Sequence, residues 1–138
     1  MTFDLILRIT TKLLMPFMLV FALYVHFHGD YGPGGGFQAG VIAAGMVILY
    51  AIVFGKRTAL RAVPTGVANA MVPLGVFIYL VAGLPGLFGG RGFLDYSVYH
   101  ENHAKAQEWG IIAIEIGVLV SVAGTMISMF YAFIARGR

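Results

Sequence analysis

Long apolar stretches separated by short polar segments dominate the pattern of this chain. A helix that crosses a membrane needs about 20 mainly apolar residues, because the hydrocarbon core is about 30 Å thick. Four stretches approach or exceed this length, at about 9–28, 37–54, 67–88 and 110–134. The pattern therefore predicts an all-α integral membrane protein, a single domain of four transmembrane helices covering residues 1–138.

The composition supports a lipid environment. Of the 138 residues, 59% are hydrophobic and only 11% are charged, whereas a soluble domain carries about 25% charged residues. The chain therefore has too few charges to cover a water-exposed surface. It contains no cysteine, which excludes disulfides, thiolate metal sites and cysteine nucleophiles.

The basic residues indicate how the helices are oriented. Seven of the nine lie in regions that a four-span chain places on one side of the membrane: Arg8, Lys12, Lys56, Arg57, Arg61, Arg136 and Arg138. By the positive-inside rule this side is the cytoplasm. We therefore expect both termini in the cytoplasm and a glycine-rich outer loop between the first two helices. Since no basic run is interleaved with aromatic residues, nucleic-acid binding is not expected.

That outer loop carries the first candidate for chemistry. Its sequence, HGDYGPGGGFQAG, places Pro33 before three consecutive glycines, which permit positive φ angles and close backbone approach. It is not a phosphate-binding loop, because the lysine and the Ser/Thr of that motif are missing. Two interpretations remain open: a tight hairpin turn, or a loop lining an ion path or subunit contact. In the second, His28 and Asp30 are candidates for the ion path.

The second candidate is Glu115, inside the fourth apolar stretch. A carboxylate at membrane depth costs several kcal/mol unless it is protonated, paired or hydrated, so it is a functional hypothesis by default. It serves either a cation or proton route, or a structural hydrogen bond across a subunit interface. Its own helical face is apolar, and small residues, including Gly117 and Ser121, line the opposite face. Two partner-facing sides on one helix of so short a chain predict a larger complex.

Two further patterns carry weaker signals. Gly36 and Gly40 have the spacing of a small-residue packing face on the second helix. All four histidines, His26, His28, His100 and His103, belong to the outer half. Their spacing is not diagnostic of a metal site, so none is predicted, and a pH-responsive surface is favoured because histidine titrates near neutrality.

Three segments together resemble a known family. They are PGGGFQAGVIAAG from Pro33, FLDYSV from Phe93 to Val98, and GIIAIEIGVLVSVAGTMISMFYAF from Gly110 to Phe133. Over nearly the whole chain, the sequence is similar to MrpB, also called MnhB, a small component of the multisubunit Mrp-type sodium/proton antiporters. Pro33, Gly34, Gly35, Gly36 and Phe37 match the family's loop motif, and Glu115 matches its acidic position in helix four. The Asp30–Tyr31–Gly32 stretch departs from the Asn-containing version of many relatives.

The resemblance implies a function that the composition does not. It implies a bacterial plasma-membrane protein without enzymatic activity or cofactor, assembled with antiporter subunits A, C, D, E, F and G. The complex would exchange internal Na⁺ for external H⁺, and the accessory region that contains MrpB has been proposed to carry part of the sodium path. Two alternatives are a purely structural subunit of a related complex, hydrogenase-type or complex I-like, and an independent small channel or metal-binding protein.

Overall fold

The computed structural model describes residues 2–29 and 31–137, and its regular structure there is helical. Five α-helices follow in order: α1 (Thr2–His28), α2 (Gly36–Phe54), α3 (Lys56–Ala62), α4 (Thr65–Phe88) and α5 (His103–Arg136). A single 3-10 turn, Tyr96–Val98, lies between α4 and α5. Within the described residues, four helices, α1, α2, α4 and α5, are long and apolar enough to cross a membrane. The prediction of an all-helical chain with four spans is confirmed.

The helix ends differ from the predicted ones where polar residues extend a helix. α5 begins at His103, before the apolar stretch, because the Asn102 side chain caps its first turn by accepting the N–H of Ala104 at 3.1 Å. The resulting helix of 34 residues is about 50 Å long. It therefore projects beyond the hydrocarbon core. The short helix α3, between α2 and α4, was not predicted.

The four long helices stand side by side in a row, in the order α1, α2, α5, α4. α5 packs against α2 on one side and α4 on the other, and α1 packs against α2. Because α1 has a neighbour on one side only, most of its large apolar side chains are exposed, and Thr11, Ala22 and His26 are its buried positions. α1 therefore presents a broad apolar surface to its surroundings.

Basic segments distant in sequence meet at one end of the row. The Arg8 guanidinium and the Lys12 ammonium lie 6.0 Å and 5.5 Å from the ring centre of Phe54, at the end of α2. The Tyr131 hydroxyl, near the end of α5, donates to the Val63 carbonyl at 2.9 Å and so holds α3 in place. We call this the basic end.

A loop of residues 89–102 covers the opposite end of α4 and α5, and we call it the return loop. Phe93 and Leu94 lie against Gly83, which has no side chain to keep them away. The Tyr99 hydroxyl donates to the Ala82 carbonyl at 2.6 Å. Asp95 accepts the N–H of Ser97 at 3.0 Å and also its hydroxyl, to which Arg91 donates as well. The return loop, which contains the FLDY segment, thus packs over the ends of α4 and α5.

Candidate functional site

The site begins with the close contact between α2 and α5, which we call the α2 seam. A Cβ added at Gly36 would overlap the carbonyl oxygen of Glu115, and one at Gly40 would lie 2.9 Å from that of Leu119. The backbones of the two helices therefore touch directly, as small residues permit in membrane proteins.

The opposite side of α5 makes a second close contact, the α4 seam. A Cβ at Gly75 would overlap the backbone of Gly117 and Ser121, and one at Gly124 would lie 2.8 Å from the carbonyl oxygen of Ala68. Both sides of α5 are thus covered by helices of the same chain. The inference that α5 requires a second protein for this is wrong, because α5 packs against both α2 and α4 of its own chain.

The Glu115 side chain lies on the α2 seam, half-buried, against the connection between α1 and α2. Its Oε1 is 3.1 Å and 3.0 Å from where a Cβ would lie on Gly29 and Gly35, respectively. Backbone thus forms these two walls of the carboxylate site, and side chains at either position would press on the carboxylate.

We call this connection, Gly29 with residues 31–35, the glycine loop. It folds back over the end of α1. The N–H groups of Tyr31 and Gly32 donate to the His28 carbonyl at 3.0 and 3.1 Å, and that of Gly35 donates to Val25 at 3.0 Å. These bonds satisfy carbonyls that the end of a helix leaves without partners. Gly35 then starts α2 with φ of +119° and ψ of −175°, a conformation essentially restricted to glycine.

The electrostatics of the site follow from this path. Gly35 is the N-terminal cap residue of α2, and the first N–H groups of a helix have no acceptor within it. The positive end of the α2 dipole therefore faces the Glu115 carboxylate and stabilises negative charge there. The Gln38 Oε1 is 3.8 Å from the same Cβ position on Gly35. Carboxylate, amide and carbonyl oxygens are ligands suited to a hard cation.

The contacts described for the other predicted loop residues do not involve this carboxylate. The His28 ring stacks on Tyr24 with 5.3 Å between ring centres and contacts Gly32, and it lines a surface cavity whose lining does not include Glu115. Pro33 and Phe37 are exposed. Asp30 lies outside the described residues. Among the rest, no group of three or more His, Asp or Glu could hold a metal ion.

Gln38 was not singled out from the sequence, and the expectation that His26 belongs to a pH-responsive surface is wrong, because this residue is buried. Gln38 directly follows the loop motif. His26 is only 3% exposed, and its carbonyl accepts the N–H of Gly29 at 3.4 Å. A signal existed for His26: Thr11, Ala22 and His26 recur at helical spacing among large apolar residues and so mark the packed face of α1.

A polar opening lies beside the glycine loop, away from the basic end. A cavity of 340 Å³ is lined by Tyr31 of the glycine loop and by Gln107, Glu108 and Ile111 of α5. Glu108 precedes Glu115 by seven residues, so both lie on nearly the same face of α5. About 10 Å of helix separates them.

Comparison with known proteins gives consistent matches. Residues 6–128 match a family model described as a domain related to the MnhB subunit of Na⁺/H⁺ antiporter. A protein of Staphylococcus haemolyticus (strain JCSC1435) named antiporter subunit mnhB2 is 30% identical over 132 residues, covering 94% of this chain and 93% of that protein. The protein of the same name from Staphylococcus aureus (strain Newman) is 29% identical over 142 residues, covering 98% and 96%.

Proposed function

The chain belongs to the family of domains related to the MnhB subunit of Na⁺/H⁺ antiporters, and from this premise we propose that it is a small membrane subunit of a Mrp-type multisubunit sodium/proton antiporter. The family match confirms the resemblance inferred from the sequence motifs. As a multi-pass membrane protein with antiporter-subunit relatives, the chain contributes to an assembly of several proteins.

The proposal includes an orientation and a set of partners. Both termini and the basic end face the cytoplasm of a bacterium, the partners are subunits A, C, D, E, F and G, and Na⁺ and H⁺ are the transported ions. The chain needs no cofactor and catalyses no reaction of its own. The gathering of Arg8, Lys12 and α3 at the basic end supports this orientation, because the positive-inside rule counts such residues next to membrane spans.

The observation that carries the functional proposal is the placement of Glu115. Its carboxylate lies within a membrane span, against the glycine loop and the positive end of α2. Intramembrane carboxylates mark ion and proton pathways because burying them is otherwise costly. In this proposal Glu115 exchanges a proton for Na⁺, with oxygen atoms of the loop region completing the cation's coordination. Glu108 and the cavity beside Tyr31 form the outer approach.

The two seams favour this role over a purely structural one. The α4 seam achieves the same close backbone approach with Gly75, Gly117 and Gly124, and the residues at these contacts carry no carboxylate. Close packing on α5 therefore does not require a carboxylate. Since the glycine loop and the start of α2 of the same chain already contact the Glu115 carboxylate, a role in locking a subunit interface would rest only on the exposed part of its side chain.

The test is Glu115→Gln in the complete complex, with sodium-driven proton movement followed in inverted vesicles and assembly followed on a native gel. Glutamine keeps the size and hydrogen-bonding capacity but not the charge. We expect normal assembly and an exchange rate at least about tenfold lower, equivalent to about 1.4 kcal/mol.

The matched control is Glu101→Gln, which removes an exposed carboxylate from the return loop and should leave exchange unchanged. Lost assembly in the Glu115 variant would assign this residue to structure. Normal exchange with normal assembly would refute the proposed ion contact.

A further inference from the structure

A third face of α5 borders the α2 seam and is covered only in part by the described residues. Its positions alternate at spacings of four and three residues and so lie in one line along the helix. They are Ile111, Glu115, Val118, Val122, Thr125 and Met129. We call this line the open face. Ile111 is 39% exposed and Met129 49%, and Thr125 is exposed too. Helices that pack at this spacing cross at about 20°, as in most membrane bundles.

Lipid is a poor neighbour for the middle of this face. Part of the Glu115 side chain is exposed, although the glycine loop contacts its carboxylate. A carboxylate in contact with lipid is costly at membrane depth. The exposed residues in the middle of α1, in contrast, include the large apolar side chains of Phe17, Val20 and Phe21. α1 therefore suits lipid, whereas the open face suits a protein.

The charge of Glu115 limits which side chain a partner protein can place beside it. A second carboxylate would repel Glu115, and a lysine or arginine would pair with it and compete with Na⁺. A hydroxyl or amide group can instead donate a hydrogen bond to the carboxylate and also offer an oxygen to a cation. Serine, threonine, asparagine and glutamine form such contacts between membrane helices. The open face therefore suits a mainly apolar helix with one of these residues level with Glu115.

The cavity beside Tyr31 lies at the end of the same face. Three of its lining residues, Ala104, Glu108 and Ile111, continue the spacing of four and three toward the start of α5. A helix packed along the open face would therefore also lie over this cavity and close its open side. The cavity would then become an enclosed path that leads from Glu108 toward Glu115.

We propose that a membrane-spanning helix of another subunit packs along the open face and places a hydroxyl or amide side chain beside the exposed part of the Glu115 carboxylate. This inference rests on the proposed function, because it assigns the remaining part of the cation site to a partner protein. The glycine loop forms one side of the site, and the partner helix forms the other. Sodium binding at Glu115 therefore requires the assembled complex.

The first test locates the partner by photo-crosslinking in the assembled complex. Benzoylphenylalanine replaces Ile111 or Met129, and the crosslinked peptides are identified by mass spectrometry. We expect both probes to reach one helix of another subunit, at sites about 18 residues apart, because the two helices run side by side.

The matched control is the same probe at Ile116, which is 41% exposed on the same helix. Five residues turn an α-helix by about 140°, so Ile116 lies on a different face from Ile111. We expect only background crosslinking there.

The second test measures the sodium dependence of exchange. Val118→Phe enlarges a half-buried side chain of the open face, one turn from Glu115, and should move the partner helix away from the carboxylate. We expect normal assembly on a native gel and a KM for Na⁺ about fivefold higher, the effect of losing one polar contact. Ile116→Phe, the matched control, should leave this KM unchanged.

The outcomes separate this inference from the proposed function. Crosslinks to lipid only or to a second copy of this chain would overturn the inference, as would equal yields at Ile111 and Ile116 or an unchanged KM in Val118→Phe. Loss of exchange in Glu115→Gln would still support the proposed function in each of these cases. Crosslinks to another subunit together with normal exchange in Glu115→Gln would refute the ion contact, and with it the shared site.

Discussion

The two sides of α5 are built on the same packing principle but are closed differently at the ends that lie away from the basic end. Both seams bring backbones together through glycines, Gly36 and Gly40 on α2 and Gly75 on α4. At the α4 seam, the return loop closes the end with side chains: Tyr99 bonds to Ala82, and Asp95 bonds to Ser97. At the α2 seam, the glycine loop closes the end with backbone, and a carboxylate lies beneath it.

This difference shows what the glycine motif adds beyond tight packing. The return loop makes its seal with side-chain hydrogen bonds, although its backbone also has positive φ at Gly90 and Leu94. The glycine loop instead leaves room for Glu115 Oε1 about 3 Å from positions where side chains would otherwise begin. The α2 seam is thus organised around a polar group, and the α4 seam around contact alone.

Substitutions that disrupt either seam should lower the stability of the complex more than any other change. Gly36→Ala and Gly75→Ala would each place a methyl group on backbone atoms of α5, and overpacking of this kind costs about 3 kcal/mol. We expect both variants to lower the melting temperature of the complex and its yield. The controls are Gly45→Ala on α2 and Gly66→Ala on α4, where nothing lies within 4 Å, so stability should be unchanged or slightly higher. Equal melting of a seam variant and its control would contradict the close approach.

A second pair of variants, with a smaller expected loss of stability, should distinguish contact with the Glu115 carboxylate from backbone strain. Gly35→Ala and Gly90→Ala both place a side chain at positive φ, +119° and +73°, at a cost of about 1–3 kcal/mol. The Cβ at Gly35 would also lie 3.0 Å from Glu115 Oε1, whereas nothing lies within 4 Å at Gly90. We expect both variants to lose stability, Gly35→Ala more because its backbone conformation is essentially restricted to glycine, but reduced sodium-driven proton exchange only for Gly35→Ala. Equal exchange rates in the two variants would show that the loop does not position Glu115.

The smallest expected effect is the contribution of Asp95 in the return loop to the pH dependence of stability. The hydroxyl and N–H of Ser97 stabilise the Asp95 carboxylate and lower its pKa below the ordinary value of 3.8. A lowered pKa in the folded state stabilises it above pH 3.8, and this contribution is lost as pH falls through the folded pKa. Melting temperatures between pH 5 and pH 3 should fall slightly more for the native protein than for Asp95→Asn. A parallel pH dependence in the two proteins would exclude a contribution from Asp95.

The membrane architecture was largely predictable because it depends on composition over about 20 residues. The four apolar stretches correspond to α1, α2, α4 and α5. Helix ends were less predictable, since the start of α5 depends on the single capping side chain of Asn102. α3 could not be recognised from apolar length, because it is only seven residues long and is held by Tyr131, 68 residues away from Val63 in sequence.

The candidate site was predictable in its parts but not in their combination. Glu115 is conspicuous as a charge among apolar residues, and the triple glycine is conspicuous as a motif. Nothing in the local pattern indicates that the two touch, because α2 could equally pair with α4. Once α2 lies on α5, Gly36 meets the Glu115 backbone and Gly35 meets its carboxylate.

The contact between the glycine loop and Glu115 can form only late in the synthesis of the chain. Ribosomal synthesis delivers the loop early and α5 last, since about 80 residues lie between Gly35 and Glu115. The first hairpin, α1 with α2, therefore enters the membrane while one side of its loop is still open. The last helix completes the structure begun by the first two, so a truncated chain lacking α5 would leave Gly29, Gly35 and Gly36 without the contacts that Glu115 makes with them.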